Sequence, residues 1–172
     1  MQKSDTNSIN LRSLSLEDLD WLLQVENNPD HWEVSGTVTP FSKAVLEDYI
    51  KKATSPIHIA KQFRFVIEYN KKAVGLIDLF GYESIHKRAG VGVLVEMPYR
   101  QKGIATKALR LLIDYSFQEL KLHQLYANIY TDNISSIKLF ERQGFKLAGT
   151  KKDWVRLSHA YKDESIYQLL NL

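Results

Sequence analysis

The sequence predicts a mixed α/β (α+β) fold built as one domain. Three observations carry this. The predicted elements run strand, two helices, a block of antiparallel strands, then helix, strand, helix and closing strands, which is not the strict alternation of a doubly wound sheet. The 172 residues, 44% of them apolar, suffice for one sizeable core. No internal repeat, low-complexity tract or Pro/Gly-rich linker divides the chain, so residues 1–172 are expected to form a single domain.

The elements follow in order. Leu11–Leu14 reads as a short strand. Ser15 reads as the N-cap of a helix carrying Leu16, Leu19, Leu22, Leu23 and Glu26, with acids in its first turn as the helix dipole prefers. Residues 27–41 read as loop. Ser42 caps a second helix, in which Val45, Leu46, Tyr49, Ile50 and Ala53 recur at helical spacing until Pro56. Phe63, Phe65, Ile67 and Tyr69 alternate with Arg64 and Glu68, predicting a strand; Asn70-Lys71-Lys72 is the turn, and Ala73–Phe80 returns. Arg88–Glu96 is a Val/Gly-rich strand, as expected where a strand is buried or another backbone approaches closely. A helix from Gly103 to Leu120 places Ala105, Ala108, Leu109, Leu112, Ser116 and Leu120 on one stripe. Leu122–Tyr130 is a strand, Ile134–Gln143 a helix closed by Gly144, and Phe145–Thr150, Trp154–Ser158 and Glu164–Leu170 are strands.

Composition removes several kinds of chemistry. The chain has no cysteine, hence no thiol nucleophile, disulfide or Cys-ligated metal site. Its five histidines (His31, His58, His86, His123, His159) lack ligand spacing, so no metal is expected. No signal-peptide-like run opens the chain, and no stretch nears the ~20 apolar residues that span a bilayer. A soluble cytoplasmic protein without a membrane partner is expected. Trp21, Trp32 and Trp154 lack the interleaved basic residues of a nucleic-acid platform, so no nucleic-acid partner is expected. Residues 1–35 hold seven acids against two bases and carry −5, which leaves +8 on the remainder of a chain of net +3. A cationic substrate near the first part and an anionic cofactor on the second would use that split. A solvated helix face would produce it too.

The stretch Val93-Leu94-Val95-Glu96-Met97-Pro98-Tyr99-Arg100-Gln101-Lys102-Gly103-Ile104-Ala105-Thr106 runs from a strand through a loop into a helix. At such a junction several N–H groups lack intrahelical partners and the dipole adds positive potential, which suits a diphosphate. Gly103 lets phosphate oxygens approach the backbone, Ala105 lets the helix start pack closely, and Arg100 and Lys102 add charge. A second motif follows at Asn133-Ile134-Ser135-Ser136-Ile137-Lys138-Leu139-Phe140-Glu141-Arg142-Gln143-Gly144-Phe145.

Together these motifs resemble motifs A and B of the GNAT acetyltransferase superfamily. The runs GLIDLFGYESIHKRAGVGVLV, YRQKGIATKAL and LRSLSLEDLDWLLQVENN are similar to its spermidine and ribosomal-protein acetyltransferase branch. The resemblance covers most of the chain and implies a mixed, mostly antiparallel central sheet flanked by about four helices. In that fold one central strand splays from its neighbour, and the V-shaped cleft holds acetyl-CoA. Carried over, the backbone of Leu94, Val95 and Glu96 would pair with the pantetheine arm, and Arg100, Gln101, Lys102, Gly103, Ile104, Ala105 and Thr106 would hold the pyrophosphate. Asn133, also readable as a helix N-cap, would bond the arm, with Ser136 and Phe140 beside it.

The resemblance also implies acetyl transfer to a primary amine, of a polyamine-like small molecule or a protein N-terminus, by direct attack in a ternary complex. Homo-oligomers are compatible with it. An alkylammonium of pKa about 10.4 is roughly three units too protonated at neutral pH, a penalty of roughly 4 kcal/mol, so a base is needed. Asp78, in a strand otherwise apolar on both faces, is the first candidate, with a structural ion pair as its other reading. Glu96 is the second. Glu33, Asp78 and Tyr161 are candidate acceptor contacts; a solvated turn is the other reading of Tyr161 and the one its place favours. Where the superfamily commonly has a tyrosine that protonates the leaving thiolate, this chain has Phe140, which has no proton to give. That leaves a non-catalytic acyl-CoA-binding module as the alternative. Where the polyamine branch has an acid after an Arg-Ala pair, this chain has Gly90.

Overall fold

The computed structural model describes residues 8–35, 39–53, 55–157 and 160–172. Its elements are β1 (Ile9–Ser13), α1 (Leu19–Glu26), α2 (Pro29–Ser35), α3 (Lys43–Lys52), α4 (Ile57–Ala60), β2 (Phe63–Tyr69), β3 (Lys72–Glu83) and β4 (Arg88–Val95), followed by α5 (Ile104–Gln118), β5 (Gln124–Tyr130), α6 (Ile134–Arg142), β6 (Lys146–Leu157) and β7 (Ala160–Leu170). The strands form one sheet in the order β1-β2-β3-β4-β5-β7-β6, antiparallel except for β4 beside β5.

Successive strand residues point to opposite faces, and in β2 and β3 both faces are apolar. Val66 and Leu76 pack with Leu19, Leu22 and Val25 of α1 and Leu46 and Ile50 of α3. Their neighbours Ile67 and Ile77 pack on the other face with Ile104, Ala108, Leu109 and Leu112 of α5 and with Phe140 of α6. The sheet is therefore a shared middle layer, each buried Leu or Ile contributing roughly 1.5–3 kcal/mol.

The β2–β3 hairpin turns at Asn70 (φ 50°) and Lys71 (φ 64°), the left-handed pair that a two-residue turn matching strand twist requires. A bulge between Ile67 and Glu68 then shifts the register, so that Arg64 lies opposite Asp78.

Two short helices exceed the expected four. α2 lies inside the predicted 27–41 loop, started by Pro29 and by Asn28, whose Oδ1 accepts the Asp30 N–H at 3.0 Å. α4 is a single turn after Pro56. The two predicted strands Phe145–Thr150 and Trp154–Ser158 are one strand, β6, whose register with β7 jumps between Lys151 and Val155, around Asp153 at φ 48°; Ser158 lies outside the described residues.

Candidate active site

β4 and β5 pair only where Arg88–Gly90 meets Gln124–Tyr126. Beyond that they part around a cavity of about 240 Å³, walled by Val91 and Val93 of β4, Ala127 and Ile129 of β5, and Asn133 and Ser136 of α6. The Glu96 N–H is donated to Val74 O at 3.0 Å, so Glu96 faces β3. By strand alternation Leu94 and Gly92 do too, while Val91, Val93 and Val95 turn their backbone groups away from β3, to the side of β5. The backbone of Glu96 and, by alternation, that of Leu94 are thus spent on β3, while of β4 it is Val91, Gly92 and Val93 that wall the cavity and Val95 O accepts from Arg100 Nε. Side-chain periodicity does not say which residues of a strand face which neighbour.

At the start of α5, Gly103 has φ 75°, and no atom lies within 4 Å of where its Cβ would be. The helix's first bond runs from Lys107 N to Gly103 O, so the N–H groups of Ile104, Ala105 and Thr106 have no intrahelical partner. Arg100, Gln101 and Lys102 are exposed around them, Gln101 at φ 60°. Arg100 Nε donates to Val95 O at 2.8 Å, and the Lys102 ammonium stands 5.4 Å from the Tyr99 ring centre. Open space over Gly103, free-pointing N–H groups and two cations fit a diphosphate. Ile104 is buried in the core and anchors the helix.

On α6, Asn133 Oδ1 accepts from Ser136 N at 3.2 Å and from Ser135 Oγ at 3.0 Å, so Asn133 is an N-cap that also walls the cavity. Any bond it gives a ligand must come from its amide N–H₂. Phe140, 3% exposed, closes the cavity wall and meets Phe145 edge-on at 5.0 Å.

A second cavity, about 250 Å³, is walled by Glu26 of α1, His31 of α2, Arg64 of β2 and Asp78 of β3. It shares Phe80, Gly92 and Val93 with the first, so the two meet at the middle of β4. Arg64 Nε and Nη2 donate to the two oxygens of Asp78 at 2.6 and 3.0 Å, and Nη1 donates to Glu26 Oε1 at 2.5 Å. Burial acts to lower the Arg64 pKa, but Asp78 above all and Glu26 outweigh it, so the guanidinium is held more firmly protonated than usual. The candidate base Asp78 is thus the ion-pair partner of a largely buried arginine. Phe80 lies across Gly90, where a Cβ would sit 2.3 Å from its Cε2, so the position that carries an acid in the polyamine branch is covered by an aromatic ring.

Glu96 Oε1 accepts from Trp21 Nε1 at 2.9 Å and walls neither cavity. Tyr161 is 58% exposed on β7 and walls neither. Glu33 lies on α2, but its side chain lies outside the described residues. No three metal-ligating side chains converge among the described residues, and no helix among them is long and apolar enough to cross a membrane.

A family model described as an acetyltransferase (GNAT) domain matches residues 8–146. The spermidine N(1)-acetyltransferase of Escherichia coli (strain K12) is 32% identical over 147 residues, which cover 83% of this chain and 75% of that protein. The chain belongs to the GNAT acetyltransferase family. It is an acetyltransferase whose acetyl donor is acetyl-CoA, and the cleft between β4 and β5 fits that cofactor. This GNAT domain superimposes on the spermidine N-acetyltransferase of Vibrio cholerae in complex with CoA and spermine with a TM-score of 0.86 at 27% identity, covering 94% of this chain and 95% of that one. A dodecameric structure of the Vibrio cholerae enzyme matches with a TM-score of 0.79 at 26% identity, covering 94% and 93%.

Glu26, His31, Arg64 and Phe80, which wall the second cavity, are not marked by either sequence motif. A charge in an aromatic strand marks Arg64, which Phe63 and Phe65 flank; His31 carries no local signal, because α2 is only seven residues long and begins at Pro29.

Proposed function

We propose that this GNAT domain transfers acetyl from acetyl-CoA to a primary amine of a small polyamine-like cation, the amine attacking directly while both substrates are bound. One observation carries the reading. The cofactor cavity and a carboxylate-bearing cavity meet at Phe80, Gly92 and Val93, which wall both, and Gly92 brings no side chain to that junction. Acetyl-CoA supplies the acetyl group as an activated thioester. The N–H groups of Ile104, Ala105 and Thr106, with Arg100 and Lys102, hold the diphosphate; the backbones of Val93 and Val95 pair with the pantetheine amides; Asn133 and Ser136 line the arm.

In the second cavity Glu26 and Asp78 set two carboxylates against the single guanidinium of Arg64, a net −1 that draws an ammonium toward Gly92. The spermidine acetyltransferase relatives agree with such an acceptor. An assembly of several copies and a cytoplasmic location, where acetyl-CoA is available, complete the proposal.

Release of CoA thiol from acetyl-CoA, measured with spermidine, a diamine, an amino sugar and an N-terminal peptide, tests it. Turnover with the polyamines above the others supports the reading. Preference for the peptide moves the acceptor to protein N-termini, and CoA binding without turnover on any amine favours the acyl-CoA-binding module, for which Phe140 in place of a proton donor is the observation.

A further inference from the structure

His31 lies on α2 and is 4% exposed. Its Nδ1 is 3.0 Å from Val25 O. A carbonyl only accepts, so Nδ1 carries the proton and, in the neutral ring, Nε2 carries the lone pair. Among the described residues no buried side-chain nitrogen or oxygen lacks a partner, and none of those residues is seen to bond Nε2. His31 is one of the residues that wall the acceptor cavity, and with Nδ1 turned to Val25 O the opposite edge of the ring, Nε2, is the one left to serve it. The charged groups that face it there are Glu26 from α1, Arg64 from β2 and Asp78 from β3; Gly92, Val93 and Leu94 of β4 bring none. Both oxygens of Asp78 and one of Glu26 accept from Arg64, and a guanidinium cannot take up a proton. An imidazole is also better matched than a carboxylate to removing a proton near neutral pH.

We propose that His31 is the proton acceptor of the acetyl transfer, its Nε2 taking the proton of the acceptor ammonium as the amine enters the junction at Gly92. This rests on the acetyl-transfer reading above. The freed nitrogen lone pair forms the C–N bond to the acetyl carbon while the C–S bond breaks and sulfur keeps its electron pair. The acetylated nitrogen then gives its surplus proton through water to the thiolate, and His31 returns its own to solvent, so one proton is released per amide formed.

His31→Asn separates this role from a structural one, because the asparagine amide sits where Nδ1 sits and still donates to Val25 O, whereas Nε2 is gone. Expected for H31N are unchanged acetyl-CoA affinity and a kcat/KM for spermidine at neutral pH that falls by about 10²–10⁴-fold. The loss should shrink as pH rises and the amine sheds its own proton. H31N within threefold of the parent (about 0.7 kcal/mol), or a loss of equal size at every pH, overturns the proposal. His31→Gly assayed with and without added imidazole is an independent arm: restored turnover supports the role, and none restored overturns it. If the parent protein itself releases no thiol with any amine, the acetyl-transfer reading fails first.

Discussion

Arg64 and Asp78 stand opposite each other across β2 and β3, joined by hydrogen bonds of 2.6 and 3.0 Å, and Glu26 of α1 closes on the same guanidinium. The carboxylates both balance a largely buried cation and, in the proposed reading, give the acceptor cavity its net negative charge. Asp78→Asn keeps the shape and removes one of them. The KM for spermidine should rise by about tenfold or more, the equivalent of ~1.4 kcal/mol, with acetyl-CoA affinity unchanged. Because both side chains are about one-fifth exposed, the stability loss should be about 2–3 kcal/mol, below that of a fully buried pair. Steady-state kinetics and a denaturant titration check both; an unchanged KM would mean the cation is held elsewhere.

Two glycines near the cleft should respond oppositely to a methyl group. A Cβ on Gly92 meets nothing nearer than Asp78 Oδ2 at 3.8 Å, so Gly92→Ala should fold with an unchanged Tm. Its methyl stands at the junction of the cavities, where misplacement of the reacting groups by about 1 Å can lower kcat/KM by up to ~10²-fold. A Cβ on Gly75 would lie 2.3 Å from Leu94 O, so Gly75→Ala should destabilise by about 1–3 kcal/mol and displace β4. Thermal unfolding beside initial rates separates the two.

How far this site was readable beforehand differs from residue to residue. The helix start at Gly103 and the α6 cap at Asn133 are local features, and local spacing located both. The Arg64–Asp78 pair is not local. Counted from the Asn70-Lys71 turn without a bulge, Arg64 would face Ile77, and only the shift at Ile67/Glu68 brings it to Asp78. Likewise, which of Leu94, Val95 and Glu96 faces the cleft follows from one bond, Glu96 N–H to Val74 O, made by a different strand. α2 lacked an apolar period of helical length, since it is a seven-residue helix begun by Pro29, and His31 went unnoticed with it.

Phe140→Tyr would place a hydroxyl on the wall of the cofactor cavity. If protonation of the leaving thiolate limits turnover, kcat should rise by up to about tenfold, the lower end of what a positioned acid contributes being higher still. Acetyl-CoA affinity should not change. A lower kcat with a normal Tm would mean that the buried ring, edge-on to Phe145, cannot turn a hydroxyl toward the cavity.

Acid stability should depend on Asp18. Burial acts to raise its pKa, but hydrogen bonds from Arg12 and from the Ser15 backbone outweigh it and hold the carboxyl below its usual range. A depressed pKa in the folded state means the stabilisation is complete above the ordinary aspartate value, about 3.9, and is lost as pH falls through the lower folded value. Asp18→Asn should therefore lower the Tm at pH 6 and flatten its dependence on pH below 4. A parallel Tm curve for the variant would remove Asp18 from the acid transition.

Direct transfer between two cavities that meet at Gly92 is tested most directly by initial rates of thiol release with acetyl-CoA and spermidine both varied. The chain has no cysteine to carry the acetyl group as an enzyme thioester. Intersecting double-reciprocal lines are predicted, as a ternary complex requires. Parallel lines, the sign of a covalent acyl-enzyme, or no thiol release from a protein that binds acetyl-CoA, would contradict it.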